Sequence, residues 1–311
     1  MMLLHGVRAA AAALALTIGS PTASSAAALP VLPAADAQFD AGSLHVTRFG
    51  HGDAVVLLPG LTTGPWEWAD LVRRLAPKYT VYAVSLPGFD GRPAATPPLF
   101  ARATNDVWSM LAAQKIVRPV LIGHSLGGTL AILLGEQHPE RLRGIVAIDG
   151  LPIFPGMERL DAAQRIAAAQ QATAPIAGLT HQQLLDYDKG YMKSSGGMLD
   201  AEQGDRAAEL AANSDPAAAA QWLREDLSSD LRGDLAKITV PLLEIVPFNA
   251  PDLAGTSLSY NEAQKTAYYR GLLTGVPKLE VVLVSPARHF AMIDQPDNVF
   301  ALVDAFLNQA H

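Results

Sequence analysis

The 311-residue chain contains no cysteine. That excludes disulfides, thiolate metal sites, thiol nucleophiles and thiol-based redox switching together, and leaves packing as the source of stability. Long apolar runs are missing too. The longest, Ala9 to Ile18, is roughly half of the ~20 residues that a membrane-spanning helix needs. A multi-pass membrane protein is therefore excluded, although 50 % of the residues are hydrophobic. Charge is scarce, at 17 % of residues, and the balance is acidic, with 30 Asp and Glu against 23 Lys and Arg for a formal net charge of −7. With no basic stripe to hold a phosphate backbone, nucleic acid is not an expected partner. Also absent are a P-loop, an H-E-x-x-H zinc motif, an EF-hand loop and a G-x-G-x-x-G fingerprint, so no cofactor and no metal is expected.

What is present begins with residues 1–28, which read as a signal peptide. His5 and Arg8 form a short n-region, Ala9 to Ile18 an apolar h-region, and Ala26-Ala27-Ala28 a small-residue cleavage site. Cleavage near Ala28 would deliver a secreted or periplasmic protein with no stable membrane span.

From Leu44 to Asp149, short β-rich runs alternate with amphipathic stretches, the rhythm of an α/β fold around a mostly parallel sheet. Leu44 to Phe49 and Ala54 to Leu58 flank Gly50-His51-Gly52-Asp53 and read as a hairpin of two adjacent strands. Trp66 to Leu75, Ala101 to Gln114 and Leu126 to Gln137 read as helices. Thr80 to Ser85, Pro119 to Ile122 and Gly144 to Asp149 read as strands. From about Pro155 to Leu235 the β-branched runs give way to Ala, Gln and Asp, with breaks at Pro175, Gly196-Gly197 and Pro216. The rhythm then resumes with strands at Pro241 to Val246 and Leu279 to Val284 and helices at Asn261 to Leu273 and Pro296 to Leu307. The expected organisation is a core (29–151 and 237–311) interrupted by a helical cap (152–236).

The sharpest chemical signal is Gly123-His124-Ser125-Leu126-Gly127-Gly128, directly between an apolar strand and a helix. A strand-to-helix turn this sharp strains Ser125, and glycines at 123 and 127 let the two elements approach without a Cβ clash. The hydroxyl then stands at a helix N-terminus, where backbone N–H groups favour a developing oxyanion. Serine is a weak nucleophile and needs a base within hydrogen-bond reach, for which histidine is the natural choice. His124, next to the nucleophile, reads as structural.

With Leu57-Leu58-Pro59-Gly60-Leu61 and His289-Phe290-Ala291-Met292-Ile293-Asp294-Gln295-Pro296, the elbow makes the chain resemble the α/β-hydrolase superfamily from about Leu44 to Leu307. The resemblance implies an eight-stranded-type sheet flanked by helices, and a serine, acid, histidine order along the chain. That order leaves His138, His181, His289 and His311 as bases, of which His289 follows the last strand. It also implies an oxyanion hole from the N–H groups of Leu61 and Leu126, although Pro59-Gly60 stands where many relatives have His-Gly. The acid is open. Ala250 falls where many relatives carry an aspartate after the seventh strand. Asp149 ends the sixth strand, as in the subset of the superfamily that includes certain haloalkane dehalogenases, and Asp252 lies two residues beyond Ala250. Asp149 is the favoured reading, with Asp252 the alternative.

The function expected is a serine hydrolase cleaving carboxylic esters of a small, apolar acyl substrate. Tyr187, Tyr191, Met192 and Met198 would give an apolar pocket wall, and Trp66 and Trp68 either line an acyl pocket or anchor the first helix. An aminopeptidase, for which Asp186 and Asp188 would hold an amine, a lactonase and a C–C bond hydrolase are alternatives on the same scaffold. So is a non-catalytic ligand-binding protein of the same fold. A haloalkane dehalogenase is disfavoured, since its elbow carries aspartate.

Overall fold

A computed structural model describes residues 29–254 and 260–309. The expected signal peptide and its cleavage near Ala28, and the histidine at 311, lie outside the described residues. Eight strands form one sheet: β1 (Ala37–Ala41), β2 (Leu44–Phe49), β3 (Asp53–Leu58), β4 (Tyr79–Ser85), β5 (Val120–His124), β6 (Gly144–Ile148), β7 (Leu242–Pro247) and β8 (Leu279–Val284). Their order is β1-β2-β4-β3-β5-β6-β7-β8, antiparallel for the β1–β2 and β2–β4 pairs and parallel from β4 to β8.

The helices are α1 (Ala69–Leu75), α2 (Leu99–Ala113), α3 (Leu126–Gln137), α4 (Ala162–Thr173), α5 (His181–Met192), α6 (Ala201–Ala211), α7 (Pro216–Ser228), α8 (Glu262–Leu272), α9 (Ala291–Asp294) and α10 (Pro296–Gln309). None of them is long and apolar enough to cross a membrane. Strand alternation divides the core between the two faces of the sheet. Val56, Leu58 and Leu121 pack with residues of α2 and α3, while Val55, Leu57, Val120 and Ile122 pack with residues of α1 and α10. Central strands covered on both sides are mostly apolar, which is why Val120-Leu121-Ile122 of β5 and Ile145-Val146-Ala147-Ile148 of β6 lack polar alternation.

The expected Leu44–Phe49/Ala54–Leu58 hairpin does not form, because β4 lies between β2 and β3, pairing Val46 with Val84 and Val55 with Val81. The turn between β2 and β3 packs against the approach to β4: a Cβ at Gly50 would lie 2.2 Å from the Ala76 carbonyl oxygen, and one at Gly52 2.3 Å from that of Lys78. The actual hairpin is β1–β2, where Asp106 accepts hydrogen bonds from the Ser43 N–H and hydroxyl at 2.7 and 2.6 Å.

Between β6 and β7 the chain runs through α4 to α7. Pro216 begins α7, and Gly196-Gly197 falls between α5 and α6. Trp222 of α7 donates to the Pro87 carbonyl at 3.0 Å. Glu225 accepts from the Leu99 and Phe100 N–H groups, both at 2.8 Å, giving the N-terminus of α2 a negative partner. The helical segment is thus fixed over the ends of the parallel strands.

Candidate active site

Loops leaving the C-terminal ends of parallel strands converge here, the usual position for a site in an α/β sheet. After β5, Ser125 adopts φ 52° and ψ −119°, a region costly for a residue with a side chain. A Cβ at Gly123 would lie 2.1 Å from the Gly127 carbonyl oxygen, and one at Gly127 2.1 Å from that of Leu58. The elbow therefore closes only with glycine at both positions. Ser125 N–H donates to the Ile148 carbonyl at 2.9 Å, tying the turn to β6. Leu126 begins α3, so its N–H has no carbonyl partner within the helix.

Asp149, just past β6, also has a left-handed backbone (φ 52°), and its N–H is held by the Ile245 carbonyl at 3.0 Å. Its Oδ2 is hydrogen-bonded to His289 Nδ1, and its Oδ1 accepts from the Tyr269 hydroxyl. Burial would raise the Asp149 carboxyl, but the His289 charge and hydrogen bond, the Lys265 charge and the Tyr269 hydroxyl outweigh it and bring it down to about 2. Asp252 is engaged elsewhere: its Oδ1 lies 2.6 Å from Arg288 Nη2 and its Oδ2 2.9 Å from Arg288 Nε. Arg288 also reaches the Met198 carbonyl at 2.9 Å, so this pair links the loop after β7 to the helical segment.

The other two downstream histidines within the described residues, His138 and His181, stand apart. His138 lies beyond α3 with Nδ1 3.3 Å from Glu140, and His181 Nδ1 lies 2.9 Å from the Ala212 carbonyl. His124 is buried, with Nδ1 3.0 Å from Glu67 Oε2 and Nε2 3.1 Å from the His289 carbonyl oxygen. Glu67 Oε1 in turn accepts from the Gly60 N–H at 3.0 Å, while the Gly60 carbonyl accepts from the Thr63 N–H at 3.3 Å and hydroxyl at 3.0 Å. The turn that presents Leu61 is therefore pinned from both sides.

Glu67 and Tyr269 were not singled out in the sequence. Glu67 had a signal, an acid between two tryptophans in a segment expected to pack on the core. Tyr269 had none, since its role depends on how α8 docks beside β6.

Ser125 and His289 line two adjoining cavities of about 180 and 380 Å³. The smaller has walls of Leu126, Ile176, Leu184 and Leu223, with Tyr187, Tyr191 and Met192 where a pocket wall was expected. Met198 is buried in the core instead, as is Trp68, whose ring meets His124 edge-on at 6.4 Å. Trp66 packs against the same core cluster. Asp186 is exposed and accepts from Gln182 at 3.0 Å, whereas Asp188 faces the smaller cavity together with Asp226. Behind Asp149, Glu244 of β7 is completely buried. Burial and the Asp149 charge push its carboxyl well above the usual range, and the Gly150 N–H pulls the other way. Among the described residues no group of three or more His, Cys, Asp or Glu could hold a metal ion.

Comparisons agree with this architecture. Over 114 residues the chain is 36 % identical to a pimeloyl-[acyl-carrier protein] methyl ester esterase of Aeromonas hydrophila, a match covering 36 % of this chain and 43 % of that relative. The chain spans about half the length, or less, of the curated relatives it matches. Among solved structures, the enol-lactonase of Burkholderia xenovorans superposes with a TM-score of 0.63 at 21 % identity, covering 85 % of this chain and 96 % of that one. A thermophilic esterase of Thermogutta terrifontis superposes with a TM-score of 0.66 at 17 % identity, covering 86 % and 94 %. At these identities the likeness is one of fold. Residues 55–302 match the Alpha/beta hydrolase family, and the chain belongs to that family.

Proposed function

We propose that the protein is a serine hydrolase that cleaves carboxylic esters of small acyl substrates through an acyl-enzyme. The observation that carries this reading is the hydrogen bond from His289 Nδ1 to Asp149, which leaves Nε2 as the free base of an imidazole lining the same cavities as Ser125. His289 takes the Ser125 proton as Oγ attacks the carbonyl carbon, and Asp149 stabilises the resulting imidazolium without accepting the proton. The tetrahedral oxyanion accepts from the Leu61 and Leu126 N–H groups, each worth roughly 2.7–4 kcal/mol in comparable hydrolases. His289 then protonates the departing alcohol. In the second half a water gives its proton to His289, attacks the acyl carbon and releases the acid, restoring Ser125. The partial similarity to a methyl ester esterase favours an ester as the bond cleaved.

The test is labelling of the purified protein with a fluorophosphonate, alongside turnover of p-nitrophenyl esters of increasing chain length. Labelling at Ser125 with ester turnover is expected. An unlabelled Ser125 would leave the non-catalytic binding protein as the better reading. Asp149→Ala should abolish turnover and Asp252→Ala should not; the reverse pattern would make Asp252 the acid. Export is part of the proposal, resting on residues 1–28 alone, and protein confined to the cytoplasmic fraction with an N-terminus that still includes Met1 would refute it.

A further inference from the structure

Asp188 is 5 % exposed, and its Oδ2, with no hydrogen-bond partner, belongs to a residue on the wall of the smaller cavity. A buried carboxylate without a partner is costly, so it needs either a proton or a cation. Among the described residues no lysine or arginine pairs with it. The two lysines of α5 and its C-terminus turn away to α6, Lys189 to Glu209 at 4.0 Å and Lys193 to Asp205 at 3.0 Å. Among the described residues neither cavity has a lysine or arginine in its lining. A second carboxylate, Asp226 of α7, lines both cavities. The rings of Tyr187, Tyr191, Phe154 and Phe290 complete the surroundings. Two carboxylates among aromatic rings suit an ammonium group and repel an anion.

We propose that the cavity over Ser125 selects a substrate carrying a protonated amine, which Asp188 receives as an ion pair with Asp226 as a second carboxylate. This rests on the serine hydrolase reading for the identity of the cavity as the substrate site. Burial pushes Asp188 and Asp226 each up to about 7, so in the free protein they wait partly protonated, and an arriving ammonium group draws out their charged forms.

Two measurements test it. Calorimetry with n-alkylammonium ions of four to eight carbons should give binding at least about tenfold tighter than the matching alcohols, with the matching carboxylates weakest. Kinetics should give methyl 6-aminohexanoate a kcat/KM at least about tenfold above methyl heptanoate, its neutral isostere. Both preferences should collapse in Asp188→Asn, checked for folding by circular dichroism, and shrink in Asp226→Asn, which serves alone if the first variant does not fold. Equal binding of ammonium ion and alcohol, a preference for the alcohol, or a preference that survives both substitutions would overturn the proposal. An ammonium preference in a protein that neither labels with fluorophosphonate nor turns over any ester would overturn only the hydrolase reading. Labelling and turnover without the preference would overturn only this one.

Discussion

His124 Nε2 lies 3.1 Å from the backbone carbonyl of His289, so the residue beside the elbow serine holds the loop of the proposed base. A carbonyl only accepts, so Nε2 carries a proton. Nδ1 and Glu67 Oε2, 3.0 Å apart, then share another, as imidazolium and carboxylate or as imidazole and carboxylic acid. Through Gly60 the same glutamate holds the turn that presents Leu61. Base loop and oxyanion turn are thus joined by one buried chain of hydrogen bonds.

Breaking that chain should cost both stability and rate. Glu67 and His124 are almost wholly buried, and removing one partner of such a pair typically costs about 3–5 kcal/mol. Glu67→Ala is expected to lower stability in urea by that order and to reduce kcat, because Gly60 and His124 both lose their anchor. Glu67→Gln keeps an acceptor for Gly60 and a donor for a neutral Nδ1, so it should recover most of both. Unchanged urea midpoint and kcat in the alanine variant would show that the chain is incidental.

Tyr269 offers a smaller and more local test. Its hydroxyl donates to the Asp149 oxygen that His289 does not use. Hydrogen bonds to charged groups contribute about 1.5–3 kcal/mol, so Tyr269→Phe should lower kcat about tenfold while leaving KM near its original value. Asp149→Asn, which disturbs the imidazole tautomer itself, should cost roughly 10⁴-fold. If the two variants lose equal activity, Tyr269 does more than support the acid.

The carboxyl of Asp149, held at about 2, makes a prediction about acid stability. Its folded value lies below the ordinary 3.8, so its contribution is full above that value and disappears as pH falls through about 2. The separation corresponds to about 2 kcal/mol. Wild type should therefore exceed Asp149→Asn in stability at pH 5, and the gap should narrow on acidification towards pH 2. A gap that stays constant would mean that the carboxylate is not held by its partners.

The elements legible in the sequence were those whose pattern has a local cause. The runs Val120-Leu121-Ile122 and Ile145-Val146-Ala147-Ile148 are apolar because both faces of their strands are covered, and Leu126 to Gln137 forms a helix with the expected bounds. Strand β1 escaped because Ala37–Ala41 has only one β-favouring residue, Phe39, and lies at the sheet edge. The β2–β3 hairpin misled because Gly50 and Gly52 mark a turn whatever follows it, and pairing was decided by Val81 and Val84 some thirty residues later. At the site, the Gly123–Gly128 elbow is a local motif. The contacts of Asp149 with Tyr269, Asp252 with Arg288 and His124 with Glu67 join residues 36 to 120 positions apart, and only the folded sheet brings them together.

Glu244 gives the last prediction, from its place behind Asp149. A carboxyl fully buried beside another negative charge stays protonated until well above the usual range. Its folded value is raised, so the folded chain holds a proton that the unfolded chain has released, and stability falls as pH climbs above 4.5. Glu244→Gln has nearly the same shape and no charge to bury. It should match wild type near pH 4 and become progressively more stable up to pH 8, seen as a widening difference in Tm, with the ester kcat retained. A difference that does not grow with pH would mean that Glu244 is ionised in the folded protein and compensated by a partner. In that case Asp149 would share its surroundings with a second full negative charge, and Glu244→Gln would shift the pH profile of kcat instead of the profile of Tm.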